Sequence, residues 1–358
     1  MDILALLRTA KERAASDVHL VVSSPPLLRI DGSLQAIDGA APLTGEDINQ
    51  AFTQLTTPEQ RGEFGKHLEL DFSYNMPDVG HLRGNAARQR GAISLAIRLL
   101  PPKIPTIDEL KLPEICKQLA LRPRGLVIVT GPTGSGKSTT LAAMINHLNT
   151  NESRHVVTIE DPIEYVHPSV NCAITQRQLG SDTTSFAAAL KHVLRQDPDV
   201  ILVGEMRDLD TAAAALAIAE TGHLVLSTGH APSTTQAMER IIDLFPPEER
   251  HLAQTRLASL LIGVLCQVLV PRANGIGRVV AVEIMLANPP VRNLIREGKL
   301  YQLPNVIRTH REIGMISLDE ALSNLYLKQV ISGKALLAFC NDLQEVEKLI
   351  GKVTTNNT

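Results

Sequence analysis

A phosphate-binding loop at residues 131–138 is the feature that most constrains what this chain can fold into. Residues 126–129 before the loop are apolar, and residues 139–148 after it have a helical pattern. In loops of this kind, glycines let backbone N–H groups turn toward the phosphates. A lysine reaches the terminal phosphates, and a serine hydroxyl ligates Mg²⁺ at a helix N-terminus. We therefore predict a nucleoside triphosphate site made by nine residues: Gly131, Pro132, Thr133, Gly134, Ser135, Gly136, Lys137, Ser138 and Thr139.

Apolar segments that alternate with helical segments predict the fold around this loop. The apolar segments are residues 126–130, 156–160, 200–204 and 224–227. Such continuous Val, Ile and Leu runs suit strands that are buried on both faces, so the pattern predicts an α/β fold with a mostly parallel, doubly wound sheet. The loop follows the first strand, at the carboxyl edge where these sheets bind ligands. We predict that this domain spans 107–358, with a hairpin at 267–286 and a helical region from about 287.

The first hundred residues have a different pattern. Short strands and two capped helices, at 44–55 and 58–66, are followed by alternating segments that predict a small antiparallel sheet. This organisation predicts a separate α+β domain over residues 1–100. Three prolines between 101 and 105 predict a stiff linker at 101–106.

Acidic residues follow two of the predicted strands. Glu205 ends the strand that begins near 200, where a carboxylate can hold a Mg²⁺-bound water or polarise an attacking water, so we predict that it is the general base. A carboxylate that caps a strand-to-helix turn is the alternative. Glu160, Asp161 and Glu164 follow the preceding strand and predict metal or water organisation, with turn chemistry at Pro162 as the alternative. The predicted Mg²⁺ ligand is Ser138, with Glu160 and Glu205 acting through water.

Basic side chains form two further groups. His223 and His230 bracket the strand at 224–227, where they could sense the γ-phosphate, bond to an adjacent subunit or be structural. Arg83 and Arg98 lie on consecutive predicted strands of the N-terminal domain. Arginines on such a face usually pair with carboxylates, but phosphoryl transfer also gains from an arginine supplied across an interface.

Composition limits the function classes. The chain has 35 basic and 38 acidic residues, a net charge of −3, which argues against general nucleic-acid affinity. No tryptophan is present, and aromatic residues make up only 3%, so base-stacking platforms are scarce. The four cysteines form no C-x-x-C pair and predict no zinc ribbon. No apolar stretch approaches about 18 residues, so we expect a cytoplasmic protein without a transmembrane segment.

Together these motifs resemble the type IV pilus retraction ATPase (PilT) family of the type II/IV secretion ATPase superfamily. The resemblance covers nearly the whole chain. It rests on the phosphate loop, the segments at 15–20, 83–85, 89–91, 160–164, 195–199 and 200–205, the two histidines, and residues 291–296. Two positions depart from the family pattern. Pro290-Val291 replaces Ala-Ile, and Gly229-His230-Ala231 replaces Leu-His-Thr, which puts the role of His230 in question.

The resemblance implies a PAS-like N-terminal domain, a RecA-like core and a homohexameric ring that binds ATP between the two domains. It implies a motor that drives pilus disassembly and twitching motility through an inner-membrane platform protein, at the cytoplasmic face of that membrane. Residue roles are also implied by it. Glu205 is the catalytic glutamate, Glu160, Asp161 and Glu164 form an acidic box, His223 and His230 form a histidine box, and Arg83 and Arg98 approach the nucleotide.

Other functions share the same core. Pilus-assembly and type II secretion ATPases usually carry a four-cysteine zinc insertion, which the scattered cysteines here do not form. A retraction accessory paralogue and a type IV secretion ATPase are further alternatives. From another class, a nucleic-acid motor uses a RecA-like sheet, but the balanced charge weighs against it. A module that binds ATP without turnover is disfavoured by the presence of Lys137, Ser138 and Glu205.

Overall fold

The computed structural model describes residues 1–30, 32–100 and 103–351. The chain divides into two compact units, Met1–Lys103 and Ile104–Thr358. Residues 101 and 102 of the predicted linker, and residues 352–358 of the predicted second domain, lie outside the described residues. Across the described ranges, no helix combines the length and the apolar character needed to cross a membrane.

The first unit is built on a six-stranded antiparallel sheet. Its strand order is β3-β2-β1-β6-β5-β4. The strands are β1 Asp17–Leu20, β2 Leu27–Ile30, β3 Ser33–Ala36, β4 Glu69–Met76, β5 Gly80–Gln89 and β6 Ala92–Leu99; the helices are α1 Ile3–Glu12, α2 Gly45–Leu55 and α3 Pro58–His67. Capping boxes at Thr44 and Thr57 start the second and third helices, because each threonine and its partner three residues later satisfy two backbone N–H groups. In the sheet, Arg83 pairs directly with Arg98.

The second unit is built on a seven-stranded sheet of order β13-β12-β7-β11-β10-β8-β9. All pairs are parallel except the antiparallel pair of β12 and β13. The strands are β7 Gly125–Thr130, β8 His155–Glu160, β9 Ala173–Gln178, β10 Val200–Val203, β11 Leu224–Thr228, β12 Leu261–Pro271 and β13 Arg278–Leu286. The predicted parallel, doubly wound sheet is confirmed.

Helices cover both faces of this sheet, as its apolar strands require. On β7, Leu126 and Ile128 pack into one core cluster, whereas Val127 and Val129 pack into another. Successive strand residues point to opposite faces, so this strand is buried on both sides. The helices are α4 Ile115–Ala120, α5 Lys137–Asn151, α6 Phe186–Val193, α7 Leu209–Glu220, α8 Thr234–Asp243, α9 Arg250–Leu260, α10 Pro289–Arg296, α11 Leu303–Thr309, α12 Leu318–Leu327, α13 Gly333–Phe339 and α14 Leu343–Ile350.

The hairpin differs from its predicted bounds. β12 begins at Leu261 rather than at Gln267, and it pairs in parallel with β7, so the hairpin extends the nucleotide-binding sheet. The run at 261–270 is apolar apart from Gln267, and such a run has no period that separates a buried strand from a buried helix. The edge strand β9 was not predicted, because half-exposed and exposed residues interrupt its apolar pattern.

Candidate nucleotide-binding and hydrolytic site

The sheet brings the main predicted site residues to one edge. The phosphate loop follows β7, His230 follows β11, Glu205 follows β10 and Glu160 ends β8. These four strands are neighbours in the order β7-β11-β10-β8 and run in parallel. Their carboxyl ends therefore meet at a single edge, which is the ligand-binding edge of such sheets.

The loop itself has the geometry that phosphate binding needs. Gly131 has a φ of 135°, and a Cβ at this position would lie 2.2 Å from the carbonyl oxygen of Gln267. Gly136, with a φ of 89°, precedes α5, which begins at Lys137. Only glycine fits both positions, because they combine left-handed backbone with close approach. The free N–H groups of the first turn of α5 therefore point toward the space that the loop encloses.

Lys137 is held inside the loop. Its Nζ donates hydrogen bonds to the carbonyl oxygens of Gly131, at 2.9 Å, and Pro132, at 3.0 Å. Burial lowers the pKa of this ammonium, and the nearby Glu205 carboxylate opposes that shift. The cation is thus already oriented by the loop at the helix N-terminus, where anions are favoured.

Gln267 on β12 holds the phosphate loop by a hydrogen bond. The sequence did not predict this role. Nε2 of Gln267 donates to the carbonyl oxygen of Ser135 at 2.7 Å, and the residue is only 1% exposed. An amide inside the apolar run at 261–270 is the signal that could have indicated it, since a buried polar group needs a partner. This contact joins the loop to the hairpin that extends the sheet.

The carboxylate of Glu205 lies between two basic residues. One oxygen forms an ion pair with Nε of Arg207, and the other lies 3.2 Å from Nε2 of His230. The Ser227 hydroxyl donates to the carbonyl oxygen of Val203 at 2.9 Å, which ties the ends of β10 and β11 together. The sequence analysis also assigned no role to Arg207, although a basic residue two positions after a predicted general base could have indicated one.

A cavity of about 470 Å³ opens beside this carboxylate. Its lining includes both basic partners of Glu205 and the apolar side of α8, at Ala237 and Ile241. Glu205 is 9% exposed. The cavity therefore leaves room for water at a carboxylate that is otherwise enclosed, as a base that activates water requires.

The acidic box begins at the last residue of β8 and continues into the segment before β9. Glu160 accepts hydrogen bonds from the Thr158 hydroxyl, at 2.6 Å, and from Nε2 of Gln176, at 3.1 Å. Burial raises the pKa of its carboxyl. Glu164 follows in a half-buried position, whereas Asp161 is exposed. The Thr158 hydroxyl and the Gln176 amide thus set the orientation of the Glu160 carboxylate.

His223 lies at the opposite edge of the sheet from the phosphate loop of its own chain. Its carbonyl oxygen accepts from the backbone N–H of Gly125, the first residue of β7, so it lies at the amino edge of the sheet. The six residues of β7 separate that edge from the loop by about 16 Å. Contact with an adjacent subunit stays a prediction for His223.

The predicted arginines lie in the first unit. Nε of Arg98 lies 2.9 Å from a carboxylate oxygen of Asp17. Burial works to raise the pKa of Asp17, but hydrogen bonds from Ser16 and Arg98 outweigh it and the pKa is lowered. Arg98 thus pairs with a carboxylate, as expected if this arginine has a structural role. Arg83 lies opposite it on β5, and the nucleotide roles of both stay predictions.

Comparison with known proteins places this geometry in a family. A family model described as type II/IV secretion system protein matches residues 92–297, which is more than half of the chain. Over 93% of this chain and 96% of the relative, the sequence is 45% identical to the type IV pilus retraction ATPase PilT of Pseudomonas aeruginosa. The chain belongs to the PilT family.

Two further likenesses agree with that assignment. A crystal structure of the pilus retraction motor PilT with bound ADP superposes with a TM-score of 0.91 at 40% identity, covering 97% of this chain and 99% of that one. The type IV pilus ATPase PilU of Pseudomonas aeruginosa is 39% identical over 98% of this chain and 91% of its own length. The predicted family, fold class and ATPase class are confirmed.

The segment at 291–296 contacts the preceding helix α9. Val291 and Ile295 on α10 are buried. Arg292 donates from Nη1 to the carbonyl oxygens of Ala258, at 2.5 Å, and Ser259, at 2.7 Å. It therefore anchors the end of α9. Proline at 290 fits because it lies in the first turn, where no helical N–H is needed.

Proposed function

We propose that the protein is an ATP-hydrolysing motor that powers type IV pilus retraction and twitching motility. One observation carries the proposal. In a chain that matches a PilT relative over almost its full length, the phosphate loop and Glu205 lie at the same sheet edge, with a cavity beside the carboxylate. Binding, metal coordination and proton abstraction can therefore act on one triphosphate.

The proposed site uses oxygen ligands for Mg²⁺. Ser138 offers an exposed hydroxyl in the first turn of α5, and Glu160 and Glu205 offer carboxylates that act through water. These hard oxygen donors fit Mg²⁺, which keeps several waters in protein sites. When bound with ATP, the ion neutralises charge on the terminal phosphates.

The chain's own groups supply the remaining steps. Backbone N–H groups of the loop hold the phosphates, and the ammonium of Lys137 moves from the loop carbonyls to the terminal phosphates. A carboxylate oxygen of Glu205 takes a proton from a water as that water's oxygen attacks the γ-phosphorus, and ADP leaves with the electrons of the broken P–O bond. Arg207 and His230 orient the Glu205 carboxylate for this transfer.

We further propose a homohexamer that works at the cytoplasmic face of the inner membrane. It would associate with the membrane peripherally, by binding a pilus platform protein, and would need no nucleic acid. The family assignment supports this arrangement, and the pairing of Arg83 with Arg98 on one sheet face supports a role for both arginines in sites shared between subunits.

Mixed rings test the shared site. Arg83→Ala and Glu205→Gln subunits are each expected to be nearly inactive, because each lacks one half of the site. A mixture is expected to recover part of the wild-type ATPase rate, since some interfaces then combine an intact arginine with an intact glutamate. The steady-state rate is measured across mixing ratios. A rate that never exceeds the sum of the two variants would show that each chain completes its own site.

Deletion of the gene tests whether the motor retracts pili or assembles them. We expect hyperpiliated cells without twitching motility, because filaments would then assemble without being withdrawn. Complementation with wild type should restore motility, whereas complementation with Glu205→Gln should not. Piliation is measured by electron microscopy and by sheared-pilin yield. Bald cells would instead indicate an assembly motor, and normal cells would contradict both readings.

A further inference from the structure

The acidic segment is joined directly to the phosphate-binding helix. The Tyr165 hydroxyl lies 3.0 Å from the Thr139 hydroxyl. Thr139 follows Ser138, the proposed Mg²⁺ ligand, in the first turn of α5. Both side chains in this contact are half-buried. A change at Tyr165 can therefore reach the metal ligand through one residue of a helix.

Gln176 extends this connection to Glu160. Its Nε2 donates to the carbonyl oxygen of Tyr165, at 2.8 Å, and to Glu160, at 3.1 Å. Its Oε1 accepts from the backbone N–H of His167 at 2.8 Å. Both N–H bonds of the amide and its oxygen are thus used, so the side chain has one defined orientation. We call Thr139, Tyr165, Gln176 and Glu160 the acidic-segment bridge.

A second anchor holds the same segment independently of this bridge. Asn149, fully buried near the end of α5, donates from Nδ2 to the carbonyl oxygen of Pro168 at 2.7 Å. Its Oδ1 accepts from the backbone N–H groups of Val170 and Cys172, both at 3.1 Å. The segment therefore keeps its attachment to α5 when the Tyr165 hydroxyl is removed. We therefore expect the protein to fold without the Tyr165 hydroxyl.

We propose that Tyr165 and Gln176 are positioning residues for the Mg²⁺–nucleotide site. The bridge holds the Glu160 carboxylate at a set distance from the first turn of α5, where Ser138 and the phosphates meet. Burial disfavours the charged form of Glu160, and the hydrogen bonds from Thr158 and Gln176 oppose that effect. Without the bridge, Glu160 would keep its hydrogen bond from Thr158, but its distance from the first turn of α5 would have to be fixed when Mg²⁺ and nucleotide bind, and affinity would fall.

The test uses Tyr165→Phe, which removes one hydroxyl and keeps the ring. It rests on the proposed function, because wild type must first bind Mg²⁺–ATP. Equilibrium binding of a fluorescent ATP analogue is measured with Mg²⁺ and again with EDTA. We expect the Kd with Mg²⁺ to rise roughly three- to tenfold, the range that one lost hydrogen bond produces, and the Kd in EDTA to change less. The melting temperature should stay close to that of wild type.

Tyr301→Phe is the matched control, because Tyr301 is 73% exposed and its hydroxyl accepts only from the neighbouring Gln302 among the contacts described. Thr139→Val removes the other hydroxyl of the contact and keeps the side-chain shape. If the bridge operates through this hydrogen bond, Tyr165→Phe in the Thr139→Val background should add no further loss.

Two results would overturn the inference while leaving the proposed function intact. One is a Tyr165→Phe protein with wild-type affinity in Mg²⁺. The other is an equal loss of affinity in Mg²⁺ and EDTA with a lowered melting temperature, which would show a purely structural role. Failure of the wild-type protein to bind Mg²⁺–ATP would instead contradict the proposed function.

Discussion

Lys137→Ala is expected to lower ATP turnover by about a hundredfold or more, the loss typical when one preorganised charge contact to a transition state is removed. Lys137 is the only cation in the loop sequence 131–138. Its Nζ is held by the carbonyls of Gly131 and Pro132, so the loop already orients this charge. Alanine leaves the terminal phosphates without that partner.

The measurement pairs phosphate release with equilibrium ATP binding. Lys191→Ala is the control, since Lys191 is an exposed lysine on α6, away from the loop in sequence. Circular dichroism should show an unchanged fold for both variants. Near-normal hydrolysis by the Lys137→Ala protein would remove the basis for placing the site at this loop.

Glu205→Gln is expected to bind ATP normally while hydrolysis falls by about a hundred- to ten-thousandfold, the usual contribution of a general base. Glutamine keeps the size of the side chain and an oxygen that can still accept from Arg207. It cannot take a proton from the attacking water. The enclosed position of Glu205 between Arg207 and His230 favours a local effect over a change of fold.

A paired binding and turnover assay checks this result, with Glu220→Gln as the control. Glu220 ends α7 and pairs with Arg256 at 2.6 Å, so its substitution removes a carboxylate contact elsewhere in the same unit. If ATP binding by Glu205→Gln falls as far as turnover, Glu205 acts as a metal ligand or a structural group rather than as the base.

Much of the site could be predicted because its signals are local. The phosphate loop is continuous in sequence, and its flanking strand and helix have their own periodicity. Glu205 could be predicted because parallel strands in this class of sheet present their ends at one edge. The histidines were harder to place. They bracket one strand, and only the direction of β11 in the sheet shows that His230 lies at the loop edge and His223 at the other.

Contacts between distant residues could not be predicted. Gln267 supports Ser135 across a sequence separation of 132 residues, and Arg292 anchors α9 across 33 to 34. No sequence motif marks either contact, because the geometry of each depends on which strands and helices become neighbours. The same holds for the bridge from Thr139 to Glu160, which depends on β9 pairing with β8.

The sequence by itself therefore determined the class of fold, the phosphate loop and the family. These follow from short-range pattern, because strand and helix periods and loop chemistry are properties of neighbouring residues. Only the tertiary structure decided which polar side chains surround Glu205, how the hairpin joins the sheet and which side chains hold Glu160. Burial and hydrogen bonding select these partners, and both depend on the packing of segments that are far apart along the chain.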